Sequence, residues 1–210
     1  MPDWPTIASL ATAGTTLVLA FATFASVRSG NRTARAAERS LQVAVRPLLG
    51  PSRLQDPTQK VGFVDDHWVQ VPGSGGAADV TDRAIYLVMS LRNVGSGIAV
   101  LHGWRLSLDW QPASADHSKL DTFRRLTRDI YVPAGDLGFW EGAFRDPEAP
   151  EFVAAREAIE ARRRLAIELL YGDNEGGQRT VSLFTMTPRT DGGWLVAVGR
   201  HWNIDRADPR

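Results

Sequence analysis

Cysteine is missing from this 210-residue chain. No disulfide can brace it, and no thiolate can serve as nucleophile or soft metal ligand. Lysine is nearly missing as well: only Lys60 and Lys119 stand among 24 basic residues. Excess charge is absent too, since 24 acidic residues match the basic ones; that balance removes the electrostatic case for nucleic acid. Metal spacing is lacking: His67, His102, His117 and His201 are isolated, with no H-x-x-x-H pair. Neither a G-x-S-x-G elbow, a Walker-type loop nor a G-x-G-x-x-G occurs. Gly73-Ser74-Gly75-Gly76 follows Pro72 in an expected loop, without the helix that phosphate binding needs.

The most telling absence is local. From Trp4 to Val27 no residue is charged, with Asp3 and Arg28 closing the run. At ~1.5 Å per residue such a helix reaches ~36 Å, enough for a hydrocarbon core of ~30 Å. The run therefore predicts a single transmembrane helix over 4–27, with Trp4 at its interface and a short tail over 1–3. A signal peptide is the competing expectation, since Ala20-Phe21-Ala22 matches A-x-A, but Met1-Pro2-Asp3 offers no basic n-region. A buried core helix competes less well, because every face lacks charge. The hydroxyls of Thr12, Thr15, Thr16 and Thr23 can back-bond to preceding carbonyls.

Charge at the flanks sets direction. Arg28, Arg32, Arg35 and Arg39 follow the run, and only Glu38 opposes them. The positive-inside rule then places the long C-terminal part in the cytoplasm, at the cell membrane. On a basic juxtamembrane helix over 28–42, the four arginines form one stripe that can meet lipid headgroups or act as plain stop-transfer charge. Thr12, Thr16, Ala20 and Thr23 share a small-residue face, which allows self-association through the helix.

Residues 43–210 read as one domain. Period-two alternation marks Ile85–Arg92, Trp104–Trp110, Leu165–Tyr171, Thr180–Thr187 and Trp194–Trp202 as strands. Asn93-Val94-Gly95-Ser96-Gly97 reads as a hairpin turn, Val61–Val71 as a hairpin folded at Asp65-Asp66, and Val43–Leu49 as an edge strand carrying Pro47. Pro72–Asp79 and Pro112–Lys119 read as exposed loops. One helix interrupts the strands, capped by Asp146, opened by Pro147 and ended by Arg162-Arg163-Arg164. The expected fold is mainly β: an Ig-like antiparallel β-sandwich with one inserted helix, behind a single transmembrane helix.

Four segments form an ordered series: Val45-Arg46-Pro47-Leu48; Leu91 to Ala99; Val132-Pro133-Ala134-Gly135-Asp136; and Tyr171-Gly172-Asp173 with Gly176-Gly177. The series resembles a diffuse set of bacterial, notably actinobacterial, proteins with one N-terminal span and an Ig-like domain. The resemblance implies fold and topology. It carries no activity, cofactor or site residue to this chain.

What chemistry remains is sparse. Asp65-Asp66-His67 and Asp173-Asn174-Glu175 hold ligand-type atoms at expected turn tips, where local hydrogen bonding explains them better. Glu141, Asp136 and Asp173 could act as paired carboxylates only if folding joined them. Trp140, Phe144, His201, Trp202 and Asn203 would form a partner-binding patch if exposed together, and otherwise fill the core. No catalytic, metal or cofactor residue is expected. The sequence thus points to a non-enzymatic protein-interaction or scaffold module tethered to a membrane, with an unidentified protein partner. An external carbohydrate- or cell-wall-binding sandwich, and an enzyme with an unrecognised site, are the alternatives.

Overall fold

The computed structural model describes residues 3–108 and 116–207, apart from the side chains of residues 4–11, 39 and 43. The chain divides into two units after Ala44. The first is one helix, α1 (Trp4–Ala44), of 41 residues. Thr16 and Thr23 donate to the carbonyls of Thr12 and Leu19 at 2.9 and 2.8 Å, so their hydroxyls are satisfied within the helix. Leu17, Val18, Leu19, Phe21, Phe24 and Val27 are all exposed, and at helical spacing they point to every side.

The expected span is not supported by what is described. Among the described residues no helix is long and apolar enough to cross a membrane. Dilution contributes: from Thr12 to Val27 the described stretch holds Gly14 and four threonines among its apolar residues. Side chains 4–11, the remainder of the expected span, lie outside the described residues. The 28–42 segment continues the same helix, with Arg28, Arg32 and Arg35 exposed; the side chain of Arg39 is outside the described set.

The second unit is mainly β. Its strands are β1 (Leu49–Pro51), β2 (Gln59–Gly62), β3 (Trp68–Val71), β4 (Gly75–Val80), β5 (Ile85–Asn93) and β6 (Ala99–Ser107). They continue as β7 (Arg124–Arg125), β8 (Tyr131–Val132), β9 (Leu137–Phe144), β10 (Leu165–Gly172), β11 (Thr180–Pro188) and β12 (Trp194–Asn203). A helix, α2 (Pro150–Glu160), separates β9 from β10. Every pairing among the described residues is antiparallel. β5 takes β9 along one side and β4 then β1 along the other. The second group runs β12-β11-β10-β6, with β7 and β8 sharing the outer side of β6. Only Trp194↔Gly76 and Leu195↔Gly75 join β12 to β4. Side chains from both groups meet in one core, an arrangement consistent with a β-sandwich.

Burial follows the alternation. Ile85, Leu87, Met89 and Leu91 of β5 enter the central core together with Ile167, Leu169 and Tyr171 of β10. Trp104 meets Trp140 and Phe144 edge-on, with centroids 5.1 and 5.3 Å apart, geometry worth ~0.5–1.5 kcal/mol beyond area. Strand β5 is buried on its other face as well: Tyr86 and Val88 pack under Val61, Phe63, Val69 and Val71 of the β2–β3 hairpin. Ala166, Val181, Leu183 and Trp202 form a third cluster, touched by Leu120 and Phe123. Helix α2 buries Phe152, Ala155, Ala158 and Ile159 in the central core. It ends at Glu160, and just beyond it Arg162 (φ 51°) donates through its guanidinium to the carbonyls of Arg189, Gly192 and Gly193.

Several boundaries differ from expectation. Helix α1 runs to Ala44 and β1 starts at Leu49, so Pro47 lies between elements rather than in an edge strand. Asp146 caps a turn, accepting from the Glu148 amide at 3.1 Å, and α2 begins at Pro150. Most of the expected Pro72–Asp79 loop is β4. β6 starts at Ala99, and Trp110 is outside the described residues. The largest correction concerns Asn93–Gly97. β5 and β6 do not pair with each other, so this segment is an arch between the two strand groups, not a hairpin turn.

Asn93 holds that arch. It is fully buried and all four side-chain hydrogen-bonding sites are used. Nδ2 donates to the carbonyls of Gly97 (2.6 Å) and Val132 (3.0 Å), while Oδ1 accepts from the amides of Leu48 (3.2 Å) and Gly95 (3.0 Å). Gly97 is required beside it, because an added Cβ would lie 1.8 Å from the Val45 carbonyl oxygen. Asn93→Ala strands four backbone groups at ~1–3 kcal/mol each, comparable to a domain's ~5–15 kcal/mol of stability. Thermal melting of Asn93→Ala should fall by at least ~10 °C, whereas the exposed neighbour Val94→Ala should melt within ~2 °C of the parent.

Candidate functional site

The expected aromatic patch does not form a surface. Trp140 and Phe144 are buried in the central core and Trp202 in the third cluster, at 0%, 4% and 4% exposure. Trp140 and Phe144 of β9 share the central core, while Trp202 of β12 enters a separate cluster, so the three rings form no common surface. His201 and Asn203 are half-buried, at the end where the chain enters β1. Among the described residues, the exposed aromatics of this unit are Trp68 and Tyr131 instead.

His201 belongs to a polar chain. Its Nδ1 lies 2.5 Å from Ser182 Oγ, Ser182 Oγ lies 2.9 Å from the Tyr171 hydroxyl, and that hydroxyl accepts from the Leu49 amide at 3.3 Å. Arg46 Nη2 donates to Asn203 Oδ1. A serine beside a histidine invites a catalytic reading, but Ser182 is fully buried in the middle of β11 and no substrate reaches it. The chain fastens β1 to β10, β11 and β12. Burial, then the Arg46 charge, hold the His201 imidazole below its ordinary pKa, and burial pushes the Tyr171 phenol up.

The hairpin tips are likewise committed. Asp173 accepts from the Gly177 amide and the Gln178 side chain at 2.9 and 3.0 Å. At the β2–β3 tip, His67 stacks on Tyr86 with centroids 3.9 Å apart and bonds Asp79 at 2.8 Å. Tyr86 donates to Asp65 at 2.7 Å. Among the described residues no group of three His, Asp or Glu side chains is placed to hold a metal ion. Asp136 caps its own turn by accepting from the Leu137 amide, far from pairing with Glu141 or Asp173 as a catalytic set.

Glu141 is different. It lines a cleft of about 200 Å³ whose walls are Phe63, Trp104, Gly142 and the arginines Arg124, Arg125, Arg128 and Arg145. The cleft lies where β9, paired only with β5 among the described residues, faces β7 at the margin of the other strand group. Glu141 Oε2 is buried with no hydrogen-bond partner, and burial raises its carboxyl above the ordinary value. Arg124 covers Trp104 and Phe144, 5.8 and 4.8 Å from their ring centres, and pairs with Glu151. Glu141 stands out in the sequence only as one acid among many; the arginines were readable as Arg124-Arg125-Leu126-Thr127-Arg128, a basic run with no chemistry attached. No protein-family model, no curated protein and no solved structure matches the chain.

The titrations give a signed prediction. Unfolded histidine titrates near ~6.5, and folded His201 and His102 titrate lower. Below pH ~6.5 the unfolded chain binds more protons, so this stability is full above that pH and is lost as the pH falls. Glu141, raised when folded, acts in the opposite sense, favouring the folded state as pH falls through the carboxyl range. Melting should be lower at pH 5.5 than at pH 7.5, and His201→Gln should narrow the gap without touching Glu141.

Proposed function

We propose that this chain is a non-enzymatic interaction module carried on a long helix and tethered at the inner face of a membrane. One observation carries the reading: α1 presents Leu17, Val18, Leu19, Phe21, Phe24 and Val27 uncovered on all sides. Large apolar side chains exposed on every side of a helix are stabilised by lipid or another helix against them. The charge-free sequence from Trp4 to Val27 and the exposed Arg28, Arg32 and Arg35 supply the membrane part and its direction. In the β unit, the Asp173, Asp65, His67 and His201 side chains that sequence suggests for chemistry are engaged in fastening the fold, which supports binding rather than turnover; Glu141 alone among these candidates keeps an unpartnered oxygen. The Ig-like form of the sandwich and the likeness to one-span bacterial proteins belong to the same proposal. An external glycan-binding sandwich is the second reading, and it requires the opposite orientation.

Orientation is testable because the chain has no cysteine. Glu175 sits at the exposed tip of the β10–β11 turn, which makes it a better label site than half-buried Ser74. Cells expressing Glu175→Cys should hold the protein in a carbonate-resistant membrane fraction. Its thiol should react with an impermeant maleimide only after lysis. Labelling of intact cells would overturn the orientation, and release by carbonate would overturn the tether.

A further inference from the structure

We propose that the cleft between β7 and β9 binds a small oxyanion, a carboxylate or a phosphate group, held by Arg125, Arg128 and Arg145 with the Glu141 carboxyl as the hydrogen-bonding partner on its inner wall. At about 200 Å³ the space is below the ~300–1,000 Å³ of drug-sized sites, so the ligand or its recognised group is small.

The donors are in place. Arg128 and Arg145 commit their ε nitrogens to Asp129 and Asp65, at 3.2 and 3.3 Å, which leaves their η N–H groups for a ligand. Arg125, exposed on β7, forms no ion pair with any described residue. The planar guanidinium fork matches carboxylate and phosphate edges. Both existing ion pairs are between partly exposed groups, which are individually weak and yield readily to a better-placed anion. Such a cluster at a protein surface is often ordinary solvated charge; the inner wall sets this one apart. Glu141 Oε2 is buried and unpartnered, an arrangement that costs stability unless something bonds to it. Gly142 adds to the shaping: a Cβ there would press within 2.6 Å of Trp140 and 2.9 Å of Trp104, so the wall beside Glu141 stays flat and apolar.

The charges facing Glu141 explain how an acid joins an anion site. Burial is the largest influence and raises its pKa, Asp129 and Asp65 push the same way, and Arg128 and Arg145 draw it down. A protonated carboxyl is a donor, and an arriving anion makes protonation easier still. Binding therefore takes up a proton and strengthens as the pH falls.

Calorimetric titration of the full-length protein tests this, with sulfate, inorganic phosphate and succinate as probes. Sulfate keeps its charge across the pH range used. Vesicles containing phosphatidylglycerol form a separate arm, which tells a lipid headgroup from a free anion. Saturable binding of at least one probe is expected, weakened at least ~10-fold in Arg128→Ala and in Arg125→Ala. The latter lies at an exposed position, so its fold is secure, and unchanged melting verifies this. Sulfate should bind several-fold more tightly at pH 5.5 than at pH 7.5, and Glu141→Gln, a permanent donor, should bind with that pH dependence removed. Absence of saturable binding in every arm, or binding that neither arginine variant weakens, would overturn the proposal.

Discussion

The buried amide of Asn93 is the constraint on which the rest of the domain depends. A single side chain joins the segment entering β1, the arch from β5 to β6 and the carbonyl of Val132 ahead of the turn into β9. The backbone of Asn93 extends the junction: its amide donates to Asp136 and its carbonyl accepts from Gly135. Because both donors and both acceptors are used, the amide meets the condition under which a buried polar group specifies structure rather than weakening it. The segments Val45–Leu48, Leu91–Ala99 and Val132–Asp136 converge there, and the Tyr171 segment arrives through its hydroxyl on Leu49.

Around that junction the sheet is covered unevenly. β5 is buried on both faces, by the central core and by the β2–β3 hairpin. β10 and β11 are covered on their outer side by the segment that holds Leu120 and Phe123. Ser118 donates its amide to the buried Glu168 at 2.9 Å, which fixes the start of that segment. With the broad faces occupied, the β7–β9 margin is a place where solvent meets a recess lined with charge. The proposed oxyanion site thus sits at a strand margin rather than on a sheet face.

Much of the fold was legible from alternation. The two sides of β5 and β10 sort into different clusters as their periodicity requires, and the Val61–Val71 hairpin turns at Asp66 with φ 57°. The Asn93–Gly97 arch was misread for a physical reason. A glycine-rich turn between two strands looks the same whether the strands pair or part, and the deciding contacts lie at Leu48 and Val132, far off in sequence. The aromatic patch failed because burial claimed its rings: Trp140 and Phe144 fill the central core and Trp202 a separate cluster. The cleft was not legible at all. Glu141 acquires its role from burial, and the arginines from two strand edges that long-range pairing brings into opposition.

The way β1 is tied down has a mechanical meaning. Any tension on the chain ahead of Val45 arrives at a segment bound to both strand groups at once. Leu48 and Leu49 hold to Asn93 and β5, Leu49 to Tyr171 of β10, and Arg46 to Asn203 of β12. A three-residue strand on one sheet edge would unzip bond by bond under load. Here the bonds share the pull across both layers, so the domain can bear a load applied to the chain ahead of it without first losing a strand.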